Sequence, residues 1–179
     1  MSISKEEWIE LILNDKETYS AKRAENTEDL DLSEAELSVS DLSHIDLSNI
    51  DFSGANFVES TITDVDFSNC DFTSTDFSRC KIEECNFTGC TLNGTNFSYA
   101  ALNFCNFNEA DMAGCVLNEA ELTDSDFATS ENLSACRFDE GTIWPDSEKL
   151  PEDFDSTYNY DLSSLQDEEE NSTAADYEY

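Results

Sequence analysis

Residues 50–77 read IDFSGANFVESTITDVDFSNCDFTSTDF, and every fifth residue from Phe52 through Phe57, Ile62, Phe67 and Phe72 to Phe77 is large and apolar. Outward from this stretch the spacing holds without a miss from Leu32 to Phe127, twenty centres in all. After a one-residue slip the register resumes at Leu133, Phe138 and Ile143. A period of five matches neither the 3.6 of a helix nor the 2 of an alternating strand. It describes a chain that turns a corner every five residues.

The residue two places before each centre is small, as at Ala35, Ser40, Ala55, Ser60, Thr75, Thr95, Ala110 and Ser125. All seven cysteines (Cys70, Cys80, Cys85, Cys90, Cys105, Cys115 and Cys136) share this offset. Centre and small residue therefore point inward and the other three outward. A free cysteine behaves as a small buried hydrophobe, so the cysteines read as core fillers. A row of parallel inward thiols does not converge on a metal, and an odd number of cysteines argues against a disulfide framework.

The motif resembles the pentapeptide-repeat family, whose repeat is Ala, then Asp or Asn, then Leu or Phe, then two variable polar residues. Gly54-Ala55-Asn56-Phe57 and Glu109-Ala110-Asp111-Met112 match it closely. The resemblance covers about residues 30–143. It implies an all-β solenoid: a right-handed quadrilateral β-helix with four pentapeptides, hence 20 residues, per coil. Sorted by twenty, the centres Leu42, Ile62, Ile82, Leu102 and Leu122 form an aliphatic column, and the columns on either side are mainly Phe. Like stacks on like, as coils at the inter-strand spacing require.

Three segments follow: a capping helix in residues 1–29, the β-helix over 30–143, and a C-terminal cap with an acidic tail over 144–179. Ser4-Lys5-Glu6-Glu7 reads as a capping box and Ile3 with Trp8 as a hydrophobic staple. They open a single helix from Lys5 to Ala24 that buries Trp8, Leu11, Ile12 and Tyr19. Trp144 and Phe154 are expected to cover the last coil. Beyond about Asp161 the acidic run reads as disordered, with Tyr158, Tyr160, Leu162 and Leu165 as a candidate docking or homodimer helix.

The net charge of −34, from 42 acidic and 8 basic side chains, excludes direct binding to nucleic acid or an anionic membrane. No apolar run is long enough to span a bilayer, and no secretion signal opens the chain; the expectation is a reduced, cytoplasmic protein. Enzyme chemistry finds no purchase: His44, the single histidine, is at an outward position, and there is no nucleophile–base pair, phosphate loop or metal spacing. No cofactor is expected. Gly-rich calcium repeats and regular outward Thr arrays are also missing.

The residue before each centre points outward and is Asp or Glu in eleven of twenty repeats. One column holds Asp31, Asp51, Asp71, Thr91 and Asp111; a second holds Asp46, Asp66, Asn86, Asn106 and Asp126. Residues 30–143 carry 22 acidic and 3 basic side chains. Over about six coils, or about 28 Å at the inter-strand spacing, this is about one net charge per 1.5 Å, close to the ~1.7 Å of duplex DNA. Asp also suits tight corners for local reasons, but the scarcity of Lys and Arg is not explained that way.

Family members that confer quinolone resistance or toxin immunity act as DNA mimics on gyrase or topoisomerase, and this chain resembles them in its charged rod. It departs from the plasmid-borne type in having no loop insertion within its twenty-repeat run. The preferred reading is a non-enzymatic DNA mimic that binds the basic surface of a DNA-binding enzyme, either DNA gyrase or a topoisomerase, or a defence nuclease. The alternative is a protein–protein scaffold of the cyanobacterial kind, contacting its partner through Tyr99 and Phe104.

Overall fold

The structure, a computed structural model, describes residues 3–26 and 29–157. Each five-residue unit bends at a four-residue turn. At Phe52-Ser53-Gly54-Ala55 the Ala55 N–H donates to the Phe52 carbonyl at 2.9 Å, with Gly54 at φ +67°. A positive φ at the third residue is the type II pattern. The same left-handed position recurs two residues after every centre from Glu34 to Asp124. Only two or three residues between corners are extended, so the strands are short: β1 (Leu30–Asp31), β2 (Ile50–Asp51), β3 (Thr61–Thr63), β4 (Lys81–Glu83) and β5 (Ala101–Asn103).

Pairing is parallel and its register is twenty. β1 pairs with β2, β3 with β4 and β4 with β5, each residue opposite the one twenty further on. Single parallel bridges continue the ladder between, as at Glu36–Asn56, Asp46–Asp66 and Asn86–Asn106. Four such series per 20-residue coil build a parallel β-helix. Its interior is a continuous aromatic stack in which Phe57–Phe77–Phe97 and Phe67–Phe87–Phe107–Phe127 lie ring on ring, with centroids 4.6–5.3 Å apart. The coil repeat therefore sets the ring spacing, and offset stacking adds to the burial of each ring.

Every cysteine is buried and free. The small position does more than fill space. The thiols of Cys70, Cys80 and Cys90 point at the carbonyls of Leu47, Phe57 and Phe67, twenty-three residues back, at 2.9–3.0 Å. Ser60, Thr75, Thr95 and Ser125 donate their hydroxyls in the same way. Cysteine here is a weak-donor relative of serine and threonine, facing a backbone carbonyl with a lone pair to spare. Burial pushes the Cys80 and Cys90 thiols up to about 12, and holds Cys70 well above the usual thiol range.

Two sequence expectations need correction. The N-terminal helix is two helices, α1 (Lys5–Asn14) and α2 (Lys16–Glu25). Asp15 breaks them with non-helical backbone (φ −148°, ψ 72°) and caps the second, accepting the Thr18 N–H at 3.0 Å and its hydroxyl at 2.7 Å. Asp competes with the helix backbone through its own side chain, which favours caps over interiors. The break folds α2 back on α1, with Trp8 edge-on to Tyr19 at 5.6 Å and Lys22 on Glu7 at 3.0 Å. Trp8, Ile12 and Tyr19 are buried, whereas Leu11 is half-exposed. Ser4 caps α1 as expected.

The second correction concerns the last coil. Ile143 is 54% exposed and is not a centre. Glu131 pairs with Asp111 at twenty, Arg137 with Val116 at twenty-one, and Ile143 with Glu121 at twenty-two. The Phe127 N–H then donates to the Lys149 carbonyl. Each side after Glu131 has gained one residue, so the single slip inferred from sequence is a series of slips. Ile143 occupies the outward place before a centre, and Trp144 takes the centre. As expected, Trp144 and Phe154 close over the end, packing on Phe138 and on each other with centroids 4.8–6.0 Å apart. The candidate tail helix with Tyr158, Tyr160, Leu162 and Leu165 lies outside the described residues. Among the described residues no helix is long and apolar enough to cross a membrane.

Candidate functional site: acidic columns and an aromatic corner

The bridges align the two acidic columns as the twenty-residue sorting predicts. Asp31, Asp51, Asp71, Thr91 and Asp111 are successive partners, as are Asp46, Asp66, Asn86, Asn106 and Asp126. Local chemistry explains why Asp and Asn prevail there. Each side-chain Oδ1 accepts the backbone N–H two residues on, as in Asp51 with Ser53 (2.8 Å), Asp66 with Ser68 (2.9 Å), Asp71 with Thr73 (2.8 Å) and Asp126 with Ala128 (3.0 Å). Asp31, Asp46 and Asp111 make the same bond to Ser33, Ser48 and Ala113. This is an Asx turn, which either residue type forms.

One carboxylate oxygen is thus committed to the fold. Asp51, Asp66, Asp71, Asp111 and Asp126 are half-buried, while Asp31 and Asp46 are exposed. Some charge is also answered from within the chain. Asn86 donates to Asp66 at 3.0 Å and Asn132 to Asp111 at 2.7 Å. Lys5 of α1 sits 3.3 Å from Asp31, and Lys16 of α2 sits 3.6 Å from Asp41. The Ser33 hydroxyl and N–H, helped by Lys5, hold the Asp31 carboxyl below its ordinary range.

A second acidic set escaped the sequence reading. The left-handed corners carry Glu34, Glu59, Asp64, Glu84, Glu109, Glu119 and Asp124, all exposed and projecting beyond the half-buried columns. A readable signal existed: four of the five glycines (Gly54, Gly89, Gly94 and Gly114) and both Asn49 and Asn69 hold this offset, the residue types that tolerate positive φ. His44 stands on the same corners, exposed as expected, with its ring 3.2 Å from Asp64.

Tyr99 and Phe104 occupy two adjacent corners and are 59% and 62% exposed. They bracket β5 (Ala101–Asn103). Arg79, one coil before Tyr99, lays its guanidinium over the Tyr99 ring at 5.5 Å. Phe104 has Glu84 and Asp124 twenty residues away on either side along the same corner. Among the described residues no three His, Cys, Asp or Glu side chains converge to hold a metal ion.

Two family models match the chain, one described as a pentapeptide repeat region over residues 28–97 and one as pentapeptide repeats (9 copies) over residues 77–121. No curated protein matches it. Among solved structures it is similar to the pentapeptide repeat protein Rfr23 of the cyanobacterium Cyanothece 51142, at 23% identity and TM-score 0.43, over 59% of this chain and 64% of that one. It is also similar to HetL, involved in heterocyst differentiation regulation in Nostoc sp. strain PCC 7120, at 18% identity and TM-score 0.34, over 65% of each chain. A third is QnrB1, a plasmid-mediated fluoroquinolone resistance protein, at 17% identity and TM-score 0.26, over 62% of this chain and 65% of that one. The chain spans just under two thirds of the length of each of these three proteins.

Proposed function

We propose, from the premise that this chain belongs to the pentapeptide-repeat family, that it is a non-enzymatic, DNA-mimicking rod that binds the basic surface of a DNA-binding enzyme. In this reading the coil is right-handed and four-sided, and the protein acts in the cytoplasm. The partner is DNA gyrase or a topoisomerase, or a nuclease of cellular defence. The observation that carries the reading is the in-register stacking of outward carboxylates, with 22 acidic against 3 basic side chains over residues 30–143. Such a rod offers a DNA-binding cleft the charge spacing of a short duplex without bases. The half-buried columns form the ridge of the mimic, and the corner carboxylates widen it.

The alternative, a protein scaffold with no nucleic-acid logic, is favoured by the exposed Tyr99 and Phe104. Affinity capture separates the two. Immobilised full-length protein should retain a DNA-binding protein from lysate of its native host and release it to duplex DNA at constant ionic strength. Replacing Asp31, Asp51, Asp71 and Asp111 together with Asn should abolish capture while the circular dichroism is unchanged. Retention that neither DNA nor this variant alters would refute mimicry by these columns.

A further inference from the structure

We infer that Tyr99 and Phe104 anchor a guanidinium group on the partner's basic surface; this rests on the acidic-rod reading and specifies how that surface is held. Both rings are exposed and both residues have positive φ, 61° and 57°, a conformation disfavoured for bulky side chains. The Arg79 guanidinium covers one face of the Tyr99 ring, and the Phe104 ring is left to solvent. β5 lies between them, with the small Ala101 outward on the wall. Phe104 has no ring or cation partner among the described residues, while Glu84 and Asp124 flank it along its corner. Asp124 already holds Lys149 at 3.1 Å, and Glu84 has no ion-pair partner among the described residues.

An aromatic face beside a carboxylate suits arginine: the planar guanidinium stacks on the ring while its edge reaches the carboxylate, which a compact ammonium does less well. The Arg79 guanidinium over Tyr99 shows the same pairing within the chain. An apolar occupant would strip water from Glu84 without pairing it. A second copy would bring one −34 body against another.

The test compares an arginine octapeptide with a lysine octapeptide on the full chain by calorimetry at about 50 mM salt, where charge attraction is strong. The variant is Tyr99→Asn with Phe104→Asn; Asn49 and Asn69 already adopt this φ (56° and 58°), so the fold tolerates it. The native chain should bind the arginine peptide about fivefold more tightly, with the Phe104 ring resonances shifting only with arginine. In the variant the ratio should fall to within about twofold, through weaker arginine binding. Equal affinities in the native chain, or an undiminished ratio in the variant, would overturn the anchor and leave the acidic-rod reading standing. If neither peptide binds, the rod reading fails and takes the anchor with it. A native dimer that the variant abolishes in sedimentation would assign the rings to a second copy and overturn the proposal.

Discussion

Asp71 tests whether the columns owe their Asp and Asn to the turn or to charge. Its Oδ1 accepts the Thr73 N–H at 2.8 Å, and it faces Asp51 across a parallel bridge. Asp71→Ala leaves that N–H to water at a half-buried corner, a loss of about 1 kcal/mol that relief of the like charge opposite Asp51 offsets only in part. Asp71→Asn keeps the acceptor, removes a like charge opposite Asp51, worth about 0.2–1 kcal/mol, and gains an amide that can donate to Asp51 as Asn86 donates to Asp66. The two substitutions should move stability in opposite directions, Asn up and Ala down, with a gap of about 1.5–2 kcal/mol. At about 2–4 °C per kcal/mol this separates their thermal midpoints by about 3–8 °C. Thermal and urea unfolding read it without adding salt, with exchange of the Thr73 amide as the local report. In about 1 M salt the Asn gain should shrink and the Ala loss should deepen, because both substitutions relieve the same like-charge repulsion and salt screens it, while the gap between them persists. If Asn destabilises as much as Ala, the turn requires the carboxylate charge itself. The Asx-turn account, and the use of Asn as a fold-neutral probe of the columns, would then both be wrong.

The other predictions concern the core and the corners. None of the seven buried thiols should react with a thiol reagent at pH 8 in the native protein, and all should react once it is unfolded. Burial raises the thiols of Cys70, Cys80, Cys90 and Cys115, and the neighbouring Cys105 thiol together with burial raises that of Cys85, above their unfolded value of about 8.5. The stability they contribute is therefore complete below about pH 8.5 and is lost as pH rises toward the folded values. Urea midpoints falling between about pH 9 and 11 would show it, and a flat profile would refute it. At Val39, a β-branched side chain is held at φ 54° with 75% of its surface exposed. Val39→Asn should raise stability by about 1 kcal/mol, read as a higher thermal midpoint; a loss would mean that Val39 packs on something the described residues do not include.

The sequence alone determined the solenoid. A five-residue period dictates which side chains point inward, because that depends on local backbone direction, and it placed every cysteine and every centre from Leu32 to Phe127 correctly. Sorting by twenty then predicted the column partners, since each residue's neighbour lies one coil away. Where the period ended, legibility ended. Ile143 has the side chain of a centre, and only the lengthened sides of the last coil turn it outward and bring Trp144 in. Asp15 could continue or break a helix by composition; the packing of Tyr19 on Trp8 decides for the break.

For the candidate site, the sequence named the half-buried columns and the exposed Tyr99 and Phe104, but not which carboxylates remain available. That depends on partners distant along the chain: Lys5 on Asp31, Asn86 on Asp66, Lys149 on Asp124. It also depends on the left-handed corners, which lift Glu84 and Asp64 clear of the wall while the Asx turns draw Asp51 and Asp71 into it. Charge is a property of composition. Its presentation is a property of the backbone turn, and only the coiled chain sets that.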